Sequence, residues 1–216
     1  PKVEPTPARP TAPAPPPATG PADTARLTAA LLAEGELPGV DYQVTSDDRG
    51  TGWLTPVSMN TDPPECAVFA QESIHNAGAP VAWSHQEYRG AAPGGMAMGV
   101  TLSSHRDDAG SRLLADLDRA LAPCATGFTV DSVAVSTPKL WTVAPVDGAP
   151  LIGDETLAYR IDVLGGGGNE TVTVVLIRFG PTVAHFVYRG NAAPDTAPYA
   201  ALIAGQVQKA RAQLGR

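Results

Sequence analysis

Apolar residues recur along the chain with two periods, and together they predict a mixed α+β fold. Leu27 and Leu31 stand one helical turn apart behind Asp23, a residue suited to cap a helix. A helix is therefore predicted from Thr24 to Gly35, ended by Gly35 or Gly39 and by Pro38. Leu113, Leu114, Leu117 and Leu121 draw the stripe of another helix, opened by Asp107-Asp108 and stopped at Pro123. Tyr199, Ile203, Val207, Ala210 and Leu214 mark a closing helix from about Thr196 to Leu214. A shorter helix from Glu65 to His75 is expected behind Pro63-Pro64, with Cys66 on its first turn.

Elsewhere the period is two. Val81 to Arg89 and Met96 to His105 read as a hairpin around the turn-rich GAAPGG, with Met98, Val100 and Leu102 sharing one face. A short strand is expected over Asp41 to Thr45, and another over Phe128 to Ser136. Ser46 to Gly52 reads as a polar loop, and Thr137 to Glu155 as a long loop. Leu157, Tyr159, Ile161 and Val163 alternate with Ala158, Arg160 and Asp162, which implies one wet face. The Gly165 to Asn169 turn joins this strand to ETVTVVLIRFG, apolar on both faces and so suited to the middle of a covered sheet. Gly180-Pro181 then turn into a strand from Thr182 to Arg189. The short connections require antiparallel pairing. The fold class predicted is α+β: a twisted antiparallel sheet of about six strands with helices packed on it.

Composition changes the picture at the N-terminus. Nine of the 22 prolines lie in residues 1–21, a stretch without Leu, Ile, Phe, Tyr or Trp, so it cannot offset its ordering entropy. It reads as a Pro/Ala-rich disordered tether, able to extend ~65 Å as polyproline II, ahead of a single domain over 22–216. With no initiator Met and no signal-like apolar run, the chain reads as a processed or trimmed product. The remainder, 43% hydrophobic and 17% charged overall, is rich enough to build a core. No run of 18 apolar residues predicts a membrane span. A net charge of −7 with scattered Arg argues against a nucleic-acid backbone as partner. Three Lys against twelve Arg, with abundant Ala, Gly and Pro, is the bias of a GC-rich, actinobacterium-like genome.

The two cysteines, Cys66 and Cys124, form no CxxC pair, which argues against a zinc ribbon or a thioredoxin-type site. In an oxidising compartment they would close one bridge worth ~4 kcal/mol; in the cytosol they would be two buried thiols. The spacer-like head favours the bridge. The sequence carries no G-x-S-x-G elbow. Ser84 and His85 are neighbours on a strand and point to opposite faces. His75, His85, His105 and His185 lack helical metal-ligand spacing, although His85 and Glu87 would share a face. Neither a metal nor a cofactor is expected. Asp47-Asp48, Asp107-Asp108 and Asp154-Glu155 suit solvated loops and helix starts better than a glycosidase pair. GGGG between strands is a hairpin loop, not a phosphate cradle, and the Asn169-Glu170-Thr171 glycosylation match is accidental in a bacterial source.

Small-molecule sites are concave and lined by aromatic groups with few polar ones. On that basis Trp83, Tyr88, Trp141, Tyr159 and His185 are the candidate ligand-binding residues. Trp141, placed in the 137–155 loop, leads them; its other role would be to plug the end of the core, as Trp53 could.

The order of features resembles a known family. A Pro-rich head precedes a leucine helix and ELPG (Glu36 to Gly39), then a first cysteine after Asp62-Pro63-Pro64. LLADLDRALAPC ends on the second cysteine, and LIGDE, VTVVLIRFGPTVAHFVYRG and a last helix follow. This resembles the PknH-like extracellular sensor domains of actinobacterial lipoproteins and receptor kinases, over roughly residues 22–214. The resemblance implies an extracytoplasmic α+β domain with a twisted antiparallel sheet and a cleft for a ligand. Members often carry two disulfides; this chain has cysteines for one, matched to Cys66–Cys124. No kinase motif is present.

The function expected is therefore a non-enzymatic ligand- or partner-binding sensor domain, secreted or held at the outer face of the cytoplasmic membrane. A lipid anchor upstream of residue 1, an unknown small ligand or envelope protein as partner, and a monomeric state complete the expectation. The alternatives are a structural protein-interaction module without a small ligand and a hydrolase with an unrecognised site.

Overall fold

The computed structural model describes residues 20–37, 39–46, 59–70, 80–90, 97–132, 139–165, 169–190 and 192–216. In chain order the elements are α1 (Thr24–Ala30), β1 (Tyr42–Ser46), β2 (Met59–Asp62), a 3-10 turn (Pro64–Cys66), α2 (Ala67–Ala70), β3 (Ala82–Gly90) and β4 (Ala97–Ser104). There follow α3 (Ala109–Cys124), β5 (Phe128–Ser132), β6 (Lys139–Pro145), β7 (Glu155–Leu164), β8 (Glu170–Phe179), β9 (Thr182–Arg189) and α4 (Tyr199–Leu214). The α+β class and the antiparallel pairing hold, but the described strands number nine in one sheet, ordered β1-β3-β4-β9-β8-β7-β6-β5-β2, rather than about six.

Two of the nine, β6 and β2, were not among the strands expected from the sequence. β6 lies within the stretch expected to be a loop, paired with β5 (Phe128 opposite Trp141) and with β7 (Val163 opposite Trp141). Its flanking prolines and glycines read as turns, while partners on both sides supply the ladder hydrogen bonds that favour a strand. β2 is four residues long, too short for a periodic signal, and pairs with β5 through Asn60–Asp131 and Thr61–Val130.

The apolar run in β8 sits where its two-sided pattern requires, at the centre of the sheet. Val174 and Leu176 face one layer, and Val175, Ile177 and Phe179 the other. Each such buried side chain stabilises the fold by ~1.5–3 kcal/mol relative to exposure. On one face α1 and α4 cover Tyr88, Met98, Val100, Leu102, Phe179 and Phe186. On the other, α3 and α2 pack over Val130, Val143, Leu176 and Val183. The Cys66–Cys124 disulfide ties the 3-10 turn to the end of α3, both cysteines being fully buried. The helix begun in that 3-10 turn is described only to Ala70.

α1 ends at Ala30 rather than near Gly35, because α4 supplies partners for its last groups. Gln206 donates to Ala30 O (2.7 Å) and accepts from Leu32 N (3.0 Å), and Lys209 donates to Leu31 O (2.6 Å). With those groups satisfied, Leu31 turns extended and Leu31 and Leu32 enter the core. Asp23 caps α1 as expected, accepting from Arg26 N at 2.8 Å. α3 runs through Pro123 to Cys124; burial of Leu121 and the disulfide hold this last turn despite the lost N–H. The closing helix starts at Tyr199, three residues later than Thr196. Ala158, on the face expected to be wet, is covered by the helical layer, while Arg160 and Asp162 pair at 3.0 Å further along.

The readings of residues 1–19, of the Ser46 to Gly52 loop beyond Ser46, of Trp53 and of the helix beyond Ala70 with His75 lie outside the described residues. So do those of the GAAPGG turn beyond Gly90, of the strand beyond Ser132 and of the centre of the glycine turn. Among the described residues no helix is long and apolar enough to cross a membrane.

Candidate functional site: a groove over the open half of the sheet

α3 covers only part of its sheet face. Over the other half, at the ends of β3, β7 and β9 and the starts of β4, β6 and β8, lies a groove of about 480 Å³. That volume falls within the range of small-molecule sites, about 300–1,000 Å³. Period-two alternation builds its floor, since every second residue of six neighbouring strands points the same way.

Three cross-strand rows organise the floor. The first is His85–Thr101–His185, on β3, β4 and β9. His85 and Thr101 are buried, and His85 Nδ1 lies 2.8 Å from Thr101 Oγ1. The second row runs Glu87–Gly99–Val187–Val174–Tyr159. Gly99 makes room for its neighbour: a Cβ there would lie 3.1 Å from His85 Cε1. The third row continues Arg189–Val172–Ile161. Trp141 and Val163 form the wall beyond it, and Val68 and Phe69 of α2 close the groove from above the sheet.

Two polar groups of this apolar wall make no hydrogen bond among the described residues, and the Trp141 indole N–H is a buried one. The Tyr159 ring packs edge-on against Phe69 at 5.2 Å and the residue is 4% exposed. Burial pushes its phenol well up, so it stays neutral, and its hydroxyl has no hydrogen-bond partner among the described residues. Trp141 tilts against Phe128 at 6.1 Å, and its indole N–H also lacks an acceptor among the described residues. At the strand ends the rim is charged. Arg89 meets Glu87 at 3.9 Å, Arg189 pairs with Glu170, and Lys139 has no carboxylate partner among the described residues.

The structure distributes the five aromatic and histidine candidates unevenly. Trp141, Tyr159 and His185 line the groove together, and Trp141 does so from a strand rather than a loop. Trp83 shares the face of His85, opposite Ser103, but lies outside the groove lining. Tyr88 forms part of the wall, yet its ring belongs to the helical layer, where its hydroxyl donates to Leu32 O at 3.1 Å and meets Gln206 at 3.2 Å. Burial pushes that phenol up strongly as well. Arg89, Lys139, Arg189 and Gly99 were not among the sequence candidates, and Glu87 entered only as sharing the face of His85; the alternation of His85, Glu87 and Arg89 on β3 was the available signal.

Other chemistry-bearing groups have structural engagements. Ser84 faces the helices and shares a 2.9 Å hydrogen bond with Thr28. Ser103 and His105 approach to 2.9 Å, but both are fully buried and the serine also donates to Val183 O. Asp154 and Glu155 both bind Arg178. Among the described residues no group of three His, Cys, Asp or Glu could hold a metal ion.

No protein-family model matches the sequence, and no curated protein does. Among solved structures, the chain is similar to the extracellular domain of PknH from Mycobacterium tuberculosis, with a TM-score of 0.62 at 16% identity over 90% of this chain and 100% of that one. It also matches a putative uncharacterized protein from Mycobacterium smegmatis, with a TM-score of 0.41 at 14% identity over 87% of this chain and 95% of that one. The resemblance read from the order of elements thus holds in three dimensions: the chain has the fold of the PknH extracellular domain.

Proposed function

We propose that the chain is a sensor-like, ligand-binding domain that works outside the cytoplasm, on an exported protein or lipoprotein of the cell envelope. The observation that carries this reading is the groove wall, where the Trp141 indole N–H is buried without an acceptor and the Tyr159 hydroxyl makes no hydrogen bond among the described residues. Leaving a buried polar group unsatisfied costs ~1–3 kcal/mol, a cost a bound ligand removes. The fold likeness to an extracellular domain and the Cys66–Cys124 bridge support the compartment.

The Pro-rich head fits a tether, and a lipid anchor upstream would hold the domain at the membrane. Where the described chain starts, Arg216 donates to Gly20 O at 2.8 Å, and Arg216 also lies beside Gly180 in the β8–β9 turn. That turn and the groove rim at Arg189 are at opposite ends of β9, about 24 Å apart at ~3.4 Å per residue. A tether joined there would attach at the end of β9 remote from the groove rim.

Tyr159→Phe separates the ligand reading from a structural one. Because the lost hydroxyl makes no hydrogen bond among the described residues, the variant should melt at about the same temperature, while binding of a groove ligand weakens about tenfold. A loss of stability above ~1 kcal/mol would show that the hydroxyl serves the fold, and the ligand reading would go with it.

A further inference from the structure

We propose that the ligand of this groove is a single-chain acidic amphiphile, with its apolar chain along the floor and its carboxylate or phosphate at the rim. The inference rests on reading the groove as a ligand site, and three observations narrow the class.

The first is charge. The rim carries three cations, Arg89, Lys139 and Arg189, against two carboxylates, Glu87 and Glu170, in a chain whose net charge is −7. The arginines each meet a glutamate, whereas Lys139 has no carboxylate partner among the described residues. The surplus cation sits at the strand-end mouth of the groove, beside Trp141 on β6. A negative head placed there is attracted to this chain despite its overall charge.

The second is the floor. Val172, Val174, Ile161 and Val163 present a continuous aliphatic surface on β7 and β8, with Phe69 above. A sugar needs polar partners along its whole length, and this stretch offers none from its side chains. An alkyl chain matches it.

The third is the sense of the unmatched groups. The Trp141 indole N–H can only donate, and Lys139 can only donate. The Tyr159 hydroxyl adds a further donor. A ligand that satisfies these groups supplies acceptors, as acid oxygens do.

The test uses the full chain with its disulfide intact. Octanoate, decanoate, dodecanoate, dodecyl phosphate, dodecanol, dodecyltrimethylammonium and a panel of neutral oligosaccharides are titrated below micellar concentrations. Tryptophan fluorescence and calorimetry report binding. Affinity for the acids should rise about fourfold per methylene. The acids should bind at least tenfold tighter than the ammonium ion, and the ratio of dodecanoate to dodecyl phosphate identifies the head. Lys139→Glu and Lys139→Met should each abolish the preference for acid over the ammonium ion. Equal binding of acid and ammonium ion, or an unchanged preference in both Lys139 variants, overturns the proposal. Oligosaccharide binding without amphiphile binding overturns the ligand class but keeps the ligand site. Silence across the whole panel, with Tyr159→Phe less stable than the parent, overturns both.

Discussion

Gly99 and His85 form an interlocked pair: the imidazole occupies the space that a side chain at Gly99 would take, with only 3.1 Å between a Cβ there and His85 Cε1. His85 is thereby held 2.8 Å from Thr101 across the strand. Gly99→Ala should therefore push the ring off Thr101 and narrow the groove. The expected outcome is a stability loss of ~1–3 kcal/mol, as for other overpacked sites, with weaker ligand binding and a shifted His85 ring resonance by NMR. An unmoved resonance would show that the ring is not held by this contact.

The bridge closes a long loop, with 58 residues of separation between Cys66 and Cys124. Constraining an unfolded chain over that length is worth ~4 kcal/mol on the chain-entropy account. A Cys66→Ala, Cys124→Ala double variant should lose ~2–5 kcal/mol in denaturant unfolding. A loss confined to a few tenths would place the stability of this layer in Leu113, Leu117 and Phe69 instead.

Gln206 is fully buried and serves three groups at once, Ala30 O, Leu32 N and the Tyr88 hydroxyl, all from a single amide on α4. Gln206→Leu keeps much of the volume but strands those partners. The expected cost is at least ~2 kcal/mol, larger than an aliphatic swap at Val207 one residue on. Equal costs at the two positions would mean that α1 is held by packing alone.

Glu155 gives the pH dependence. Hydrogen bonds from Arg178 and then Ser111 hold its carboxyl below its ordinary value of 4.5, at 3.0 and 2.7 Å. A carboxyl depressed in the folded state stabilises it at neutral pH, and that contribution is lost as pH falls from about 4.5 through the folded value. The melting temperature of the native chain should exceed that of Glu155→Gln at pH 7. The gap should close in acid. A gap that widens below pH 4.5 contradicts this assignment.

Much of the frame was legible in the residues. Asp23 capped its helix, the leucines of α3 drew a buried stripe, and the two-sided apolar run of β8 took the central place in the sheet. These are signals carried by neighbours in the chain, through capping, periodicity and burial. The β6 strand was not legible, because its ladder partners on β5 and β7 come from elsewhere in the chain and outweigh the turn signals around it.

The same division runs through the groove. The sequence by itself determined the α+β class, the element order that resembles an extracellular sensor domain, and the aromatic residues available to line a site. Only the tertiary structure decided that Trp141, Tyr159 and His185 converge while the Tyr88 ring turns to the other layer. Strand parity assigns a residue to one of two faces, but which face is left open depends on where α3 stops covering the sheet. That is set by packing between elements far apart in the chain, which no local pattern records.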